Sequence, residues 1–273
     1  RQCQLSRAPA KLSAVSVDPT TPLCVVGDRV GTGLLDVTSD VSALDSEGFW
    51  AVVLPYSGDP VCARFEHVRP ARPWPGPPWY GPPAEAWSSS LGRDAFTDGV
   101  RAIRAAIAAG DVYQVNLTRR LSAPMPARVP SGTTTDIAAL GAALARGNPA
   151  PYSAVVRLPE HGVHVASASP ERFLRREGRR VLSSPIKGTA RVESELLPKD
   201  RAENVMIVDL VRNDLGRVCE WGSVRVPALC ALEEHPGLVH LVSTIEGTLR
   251  DGAGWPELLD ATFPPGSVTG APK

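Results

Sequence analysis

Tyr152-Ser153-Ala154-Val155-Val156-Arg157-Leu158, Gly162-Val163-His164-Val165-Ala166-Ser167, Phe173-Leu174-Arg175-Arg176 and Arg180-Val181-Leu182-Ser183 follow one another between residues 152 and 183. Each is a short run rich in β-branched and apolar residues, and Gly, Pro and charged residues stand in the breaks, which reads as a series of strands. Glu177-Gly178-Arg179 joins the last two as a hairpin. Strands this close in sequence pair antiparallel, because parallel neighbours need a crossover of a dozen residues or more. The expected fold class is therefore α+β: large, mostly antiparallel sheets flanked by helices, rather than a doubly wound parallel sheet.

Downstream, the pattern predicts a helix over Lys199–Leu210, strands over Ser223–Leu232 and Leu238–Leu249, and a short helix after Trp255. Upstream, Ile137, Leu140 and Leu144 mark a helix over Asp136–Arg146 that stops at Gly147. Before it, Val112–Leu121 alternates, with Tyr113, Val115 and Leu117 on one face and Gln114, Asn116 and Thr118 on the other. Phe96, Val100, Ile103 and Ile107 recur at helical spacing ahead of Gly110. Further upstream, residues 70–83 hold seven prolines in fourteen positions, which stops helix and central strand alike. Leu23–Val26 and Trp50–Leu54 read as strands. The expected organisation is a β-rich N-terminal piece over 1–69, a Pro-rich linker over 70–91 and a catalytic domain over 92–273.

Composition removes several classes of function. The chain has 273 residues, 43% hydrophobic and 21% charged, and no apolar run of about 18 residues, so no spanning helix is expected. Basic and acidic residues balance at 29 each, which argues against nucleic acid or an anionic membrane as partner. Five cysteines, an odd count without a Cys-x-x-Cys pair, fit free thiols in a reducing cytoplasm. The histidines form no helical ligand pair, and His161 and His164 flank a turn where they are expected to be solvated. There is no Ser-His-Asp order, no Walker loop and no Gly-x-Gly-x-x-Gly opening a helix. Only four basic residues are lysines, at 11, 187, 199 and 273.

Lys187, in Pro185-Ile186-Lys187-Gly188-Thr189, follows a predicted strand. A partly desolvated lysine there is a usable nucleophile; the alternative is a solvated lysine at a strand end. Glu171, in Ser169-Pro170-Glu171-Arg172-Phe173, suits a general acid if its pKa is raised, or else it pairs with Arg172 or another arginine. Asp200 and Glu203 share a helix face at i, i+3, which suits Mg²⁺ or a solvated acidic stripe paired with Lys199 or Arg201. His240, Thr244 and Glu246 share one face of a predicted strand, and Thr269-Gly270-Ala271-Pro272-Lys273 is a small-residue turn open to an anion.

Together with Gly110–Leu117, Lys199–Leu210, Arg212-Asn213-Asp214-Leu215 and His240–Thr244, these segments resemble the chorismate-utilising, anthranilate synthase component I-like enzymes, and most closely their aminodeoxychorismate branch. The resemblance covers about residues 92–273. Members that add water carry Lys where this chain has Gln114, and anthranilate synthases usually carry Ala where it has Lys187, so the resemblance implies amination of chorismate at C4 by ammonia. It implies Lys187 as nucleophile and Glu171 as general acid. Glu203 would bind Mg²⁺ with Asp200 in support, and Gln114, His240, Thr244, Thr269 and Gly270 would line the chorismate pocket. Asn148, Pro149 and Tyr152 resemble a segment that forms a tryptophan pocket in relatives. A separate glutamine amidotransferase subunit would supply ammonia. The alternatives are anthranilate synthase component I and a non-catalytic binding module. Ala190-Arg191-Val192 departs from the Arg-Pro-Arg usual in the family. Relatives continue past Gly-Ala-Pro-Lys, so the chain is expected to be a piece that lacks further Mg²⁺ carboxylates and a Gly-rich loop and does not turn over alone.

Overall fold

The structure is a computed structural model, and it describes residues 18–235 and 237–272. Cys3, Lys11 and Lys273 lie outside the described residues. The chain runs β1 (Leu23–Val26), β2 (Arg29–Thr38), β3 (Phe49–Val53), β4 (Val61–Pro70), β5 (Ser88–Ser89), α1 (Arg93–Ala109), β6 (Gln114–Val115), β7 (Leu121–Ser122) and α2 (Ile137–Gly147). It continues through β8 (Tyr152–Leu158), β9 (Val163–Ser169), β10 (Arg172–Glu177), β11 (Arg180–Ser184), β12 (Ile186–Ala190) and α3 (Pro198–Gly216). Last come β13 (Arg225–His235), β14 (Leu238–Thr248), α4 (Trp255–Thr262) and β15 (Gly270–Ala271).

Antiparallel sheets and packed helices make the fold α+β, as the strand pattern predicts. One sheet has the order β3-β4-β2-β1-β8-β9. It takes strands from both sides of the Pro-rich segment, with Cys24 opposite Val156 across the β1–β8 seam. That segment is itself tied down: Trp74 packs against Val30, Ala138 and Val155, and Tyr80 N–H donates to Thr134 O at 2.7 Å. The other large sheet is built around β14, with β13 along one edge and β11 and β12 in succession along the other. The β10–β11 hairpin turns where expected, with Gly178 at φ 58°, a left-handed conformation that costs glycine nothing.

Two buried arrangements hold these layers. Asp136 caps α2 by accepting from Ala138 N–H at 3.0 Å, and its other oxygen pairs with Arg157 of β8, both side chains being 1% exposed. Arg157 Nε also donates to Thr21 O at 2.9 Å, so one guanidinium ties α2 to the first sheet. Under the second sheet, Val208 and Leu215 of α3 and Leu258 of α4 pack on Val181, Ile245 and Leu249. Each such side chain, fully buried, contributes about 1.5–3 kcal/mol.

Several boundaries differ from expectation. Val112–Leu121 is not one strand: Gln114–Val115 pairs only with β15, and Leu121–Ser122 only with β5. Tyr113 and Leu121 are exposed, so alternation here is not paired along its length. The third helix extends to Gly216. Lys187 follows β11 as expected but lies within a further strand, β12, and Glu171 sits in the bend between β9 and β10.

Candidate active site

β12 pairs Ile186 with Val242 and Thr189 with His240, so it spends three steps where β14 spends two. The extra residue is a bulge. Gly188 makes it possible at φ 88°, where an added Cβ would meet Asp200 Cβ at 2.9 Å. The bulge sends the Lys187 side chain to α3, and Nζ reaches Glu203 Oε1 at 3.1 Å. The lysine side chain is 15% exposed and the glutamate 44%. Lys187 is thus not a solvated strand-end lysine, and Glu203 pairs with it rather than with Lys199 or Arg201.

Glu171 faces the same region. Burial pushes its carboxyl above the ordinary 4.5, opposed by hydrogen bonds from the Ser267 hydroxyl and the Ile186 N–H and by the charge of Lys187. It does not take Arg172 as partner, whose guanidinium lies 5.1 Å from the Tyr152 ring centre. Glu171, Ser183, Asp214 and Ser267 line a cavity of about 140 Å³ closed by Val211 and Leu215 of α3.

Ser267 belongs to a turn docked on the strand that carries Gln114. Tyr113 N–H donates to Ala271 O at 2.9 Å, Asn116 N–H to Thr269 O at 3.0 Å, and Asn116 Nδ2 to Ser267 O at 3.3 Å. Gly270 stands opposite Val115, and its hydrogen faces Gln114 O so closely that a Cβ would lie 2.3 Å away. Thr269 Oγ1 is used inside the turn, donating to Pro265 O at 2.9 Å. Gln114 Oε1 is buried and, among the described residues, finds no hydrogen-bond partner. Gln114, Thr269 and Gly270 are therefore brought together, and Ser267 links them to Glu171.

His240 and Thr244 make no direct bond to this group. Side chains alternate along β14, so they lie opposite Ser243 and Ile245, which face α3. Among the described residues, His240 and Thr244 make no hydrogen bond or ion pair with Lys187, Glu171 or Glu203. Thr189 Oγ1 and His240 Nδ1 are 2.8 Å apart, and His235 stacks edge-on to His240 at 5.0 Å. Burial and His235 lower the His240 pKa, which favours neutral imidazole. Glu246, on the same face, is held by Arg180 and Arg225. Asp200 Oδ2 accepts from Leu197 N–H at 2.8 Å, so this carboxylate caps its own helix and does not converge with Glu203. Asn148 ends α2 at the surface beside exposed Pro149, while Tyr152 lines a hollow of about 660 Å³ with Trp50, Arg172 and Trp255. Among the described residues, no three His, Cys, Asp or Glu cluster as a metal set, and no helix is long and apolar enough to cross a membrane.

Two contributors escape motif reading. Asn204 and Ser267 are neutral and polar, and the signal that singles out Asn204 is its place on the buried stripe of α3 with Ile207, Val208 and Leu215.

A buried carboxyl with a raised pKa thus stands near a lysine–glutamate pair. The chain belongs to the chorismate-binding enzyme family, whose model, described as a chorismate binding enzyme, matches residues 65–273. It is 42% identical over 199 residues to anthranilate synthase component 1 1 of Haloarcula marismortui, covering 68% of this chain and 39% of that protein. It is 44% identical over 200 residues to aminodeoxychorismate synthase component 1 of Klebsiella aerogenes, covering 69% and 42%. The chain thus spans about two fifths of the length of these relatives. Its fold is similar to a Bacillus anthracis 2,3-dihydroxybenzoate-specific isochorismate synthase (TM-score 0.67, 21% identity, 93% of this chain and 75% of that one). It is also similar to anthranilate synthase component I of Streptococcus pneumoniae (TM-score 0.63, 21% identity, 95% and 64%).

Proposed function

We propose that this chain carries the chorismate-aminating chemistry of an aminodeoxychorismate synthase component I, serving p-aminobenzoate and folate synthesis. The observation that carries the reading is the 3.1 Å approach of Lys187 Nζ to Glu203 Oε1 beside buried Glu171, in a member of the chorismate-binding family. Lys187 first releases its ammonium proton to solvent; its free amine forms a bond to C2 of chorismate as the allylic C4–O bond breaks, and Glu171 gives its proton to the departing hydroxyl, which leaves as water. Ammonia then bonds to C4 and gives a proton back to Glu171, while the C2–N bond to Lys187 breaks, which returns the lysine and yields 4-amino-4-deoxychorismate. Splitting one substitution into two is the benefit of covalent catalysis. Burial raises the Glu171 pKa, the direction that suits a general acid.

Mg²⁺ takes one or two carboxylates and leaves its other positions to water and substrate oxygens. Half-exposed Glu203 fits such a ligand, and Asp200, occupied by its helix start, fits only a supporting place. When bound, the ion would hold the ring carboxylate of chorismate. Gln114 Oε1, a buried acceptor without a donor among the described residues, suits an N–H of the incoming ammonia or a substrate hydroxyl. His240, Thr244, Thr269 and Gly270 are proposed to contact chorismate, and Asn148, Pro149 and Tyr152 a bound tryptophan. Ammonia would come from a glutamine amidotransferase subunit, in keeping with relatives named as component 1.

The test is to give the polypeptide carrying this sequence chorismate, Mg²⁺ and ammonium, and to analyse the products. Aminodeoxychorismate without pyruvate is expected, and the Lys187→Ala variant is expected to form none. Anthranilate and pyruvate would instead establish the second reading, favoured by the 42% identity to an anthranilate synthase component 1. Binding of chorismate without any turnover would support a non-catalytic module.

A further inference from the structure

Ser243 Oγ accepts the Cys230 N–H at 2.9 Å. A serine hydroxyl has one proton to give, and the other short contact of Ser243 Oγ is with Asn204 Oδ1. The far end of the amide faces two carbonyl oxygens, which only N–H groups can serve, so the oxygen end is the one at Ser243 and the hydroxyl donates to it. The Nδ2 end meets Leu241 O at 2.9 Å and Lys187 O at 3.4 Å. Two N–H bonds serve two carbonyls and the amide oxygen takes the hydroxyl, so a side chain 1% exposed is fully satisfied.

We infer that Asn204 is a positioning residue for Lys187, a role that rests on the proposed reading of Lys187 as nucleophile. Adjacent residues of α3 grip the two ends of that lysine: Asn204 holds its main-chain carbonyl and Glu203 its amine. The grip is needed because the lysine sits on a bulge, where the regular β12–β14 ladder is interrupted. Tethered to α3 and to β14 by one amide, the bulge cannot slide along the sheet without breaking both bonds. The Ser243–Cys230 contact extends the brace to β13.

Asn204→Asp keeps the shape and the acceptor for Ser243 but turns an oxygen toward two carbonyls. The experiment acylates the protein briefly with acetic anhydride and measures the modification of Lys187 against exposed Lys199 by peptide mass mapping. The Lys187/Lys199 ratio is expected to rise about fivefold in Asn204→Asp, the equivalent of one hydrogen bond of about 1 kcal/mol. Ser243→Ala, a milder change should Asn204→Asp fail to fold, is expected to raise it in the same direction. Leu249→Ala, which loosens the core away from the bulge, is expected to lower the melting temperature and leave the ratio unchanged. An unchanged ratio in both Asn204→Asp and Ser243→Ala, or an equal rise in Leu249→Ala, would overturn the inference. Full amination activity in Lys187→Ala would instead sink the nucleophile reading.

Discussion

Lys187 Nζ and Glu203 Oε1 stand 3.1 Å apart and form, among the described residues, the one ion pair that joins β12 to α3. Because the glutamate is half exposed, the pair contributes little to folding; its value lies in where it holds the amine. Glu203→Gln is therefore expected to cost at most about 1 kcal/mol in urea unfolding. The Mg²⁺ concentration for half-maximal chorismate turnover is expected to rise at least about 10-fold. A large stability loss with unchanged Mg²⁺ dependence would show that the pair is structural.

Glu171→Gln keeps the hydrogen-bonding shape of the side chain but has no acidic proton to give. Amination of chorismate is expected to slow about 10²–10⁴-fold, the contribution usual for general acid catalysis, with KM nearly unchanged. Steady-state kinetics decide this, and a KM change alone would mean that Glu171 only binds substrate.

The same residue predicts a pH effect on stability. Its folded pKa is raised by burial, so the folded state holds the proton more tightly than the unfolded chain does. The contribution is therefore full below the unfolded carboxyl value and is lost as pH rises through the folded one. Urea midpoints of Glu171→Gln and the parent are expected to agree near pH 4.5 and to separate, with the variant more stable, toward neutral pH. Parallel curves would show that Glu171 is not perturbed.

Arg157 and Asp136 are a buried pair in which each leaves a charge stranded if the other is removed. Arg157→Ala or Asp136→Ala is expected to destabilise by about 3–5 kcal/mol in denaturant unfolding. The double variant is expected to cost less than the two single losses added together.

Gly188→Ala sets a side chain at φ 88° and against Asp200 Cβ. A loss of more than about 1 kcal/mol is expected, because alanine is strained there and α3 must shift. A loss confined to a few tenths would show that the bulge relaxes freely.

Much of this was legible in the residues. β8, β11 and the helix after Trp255 follow their apolar patterns because their side chains pack into buried cores, β8 in one and the other two in another. β12 was hidden because Pro185 and Gly188 interrupt a five-residue stretch, and its strand character comes from pairing with distant β14. Val112–Leu121 failed for the converse reason: its alternation was clear, but its paired partners supply only two residues each. At the site, charged residues announced themselves by type. The bond of His240 to Thr189 did not, since it depends on the register of β12 against β14. Nor did the orientation of the Asn204 amide, which is settled by the two carbonyls that its Nδ2 end meets.

The β1–β8 seam has a practical consequence. The proline-rich stretch invites a cut there, as though everything before it were a detachable module. Cutting would strip β8 of its neighbour and expose a row of unsatisfied amides and carbonyls, a ready template for clumping with other chains. The apparent hinge in the sequence crosses a surface already sewn shut by hydrogen bonds, and the N-terminal strands must travel with the rest.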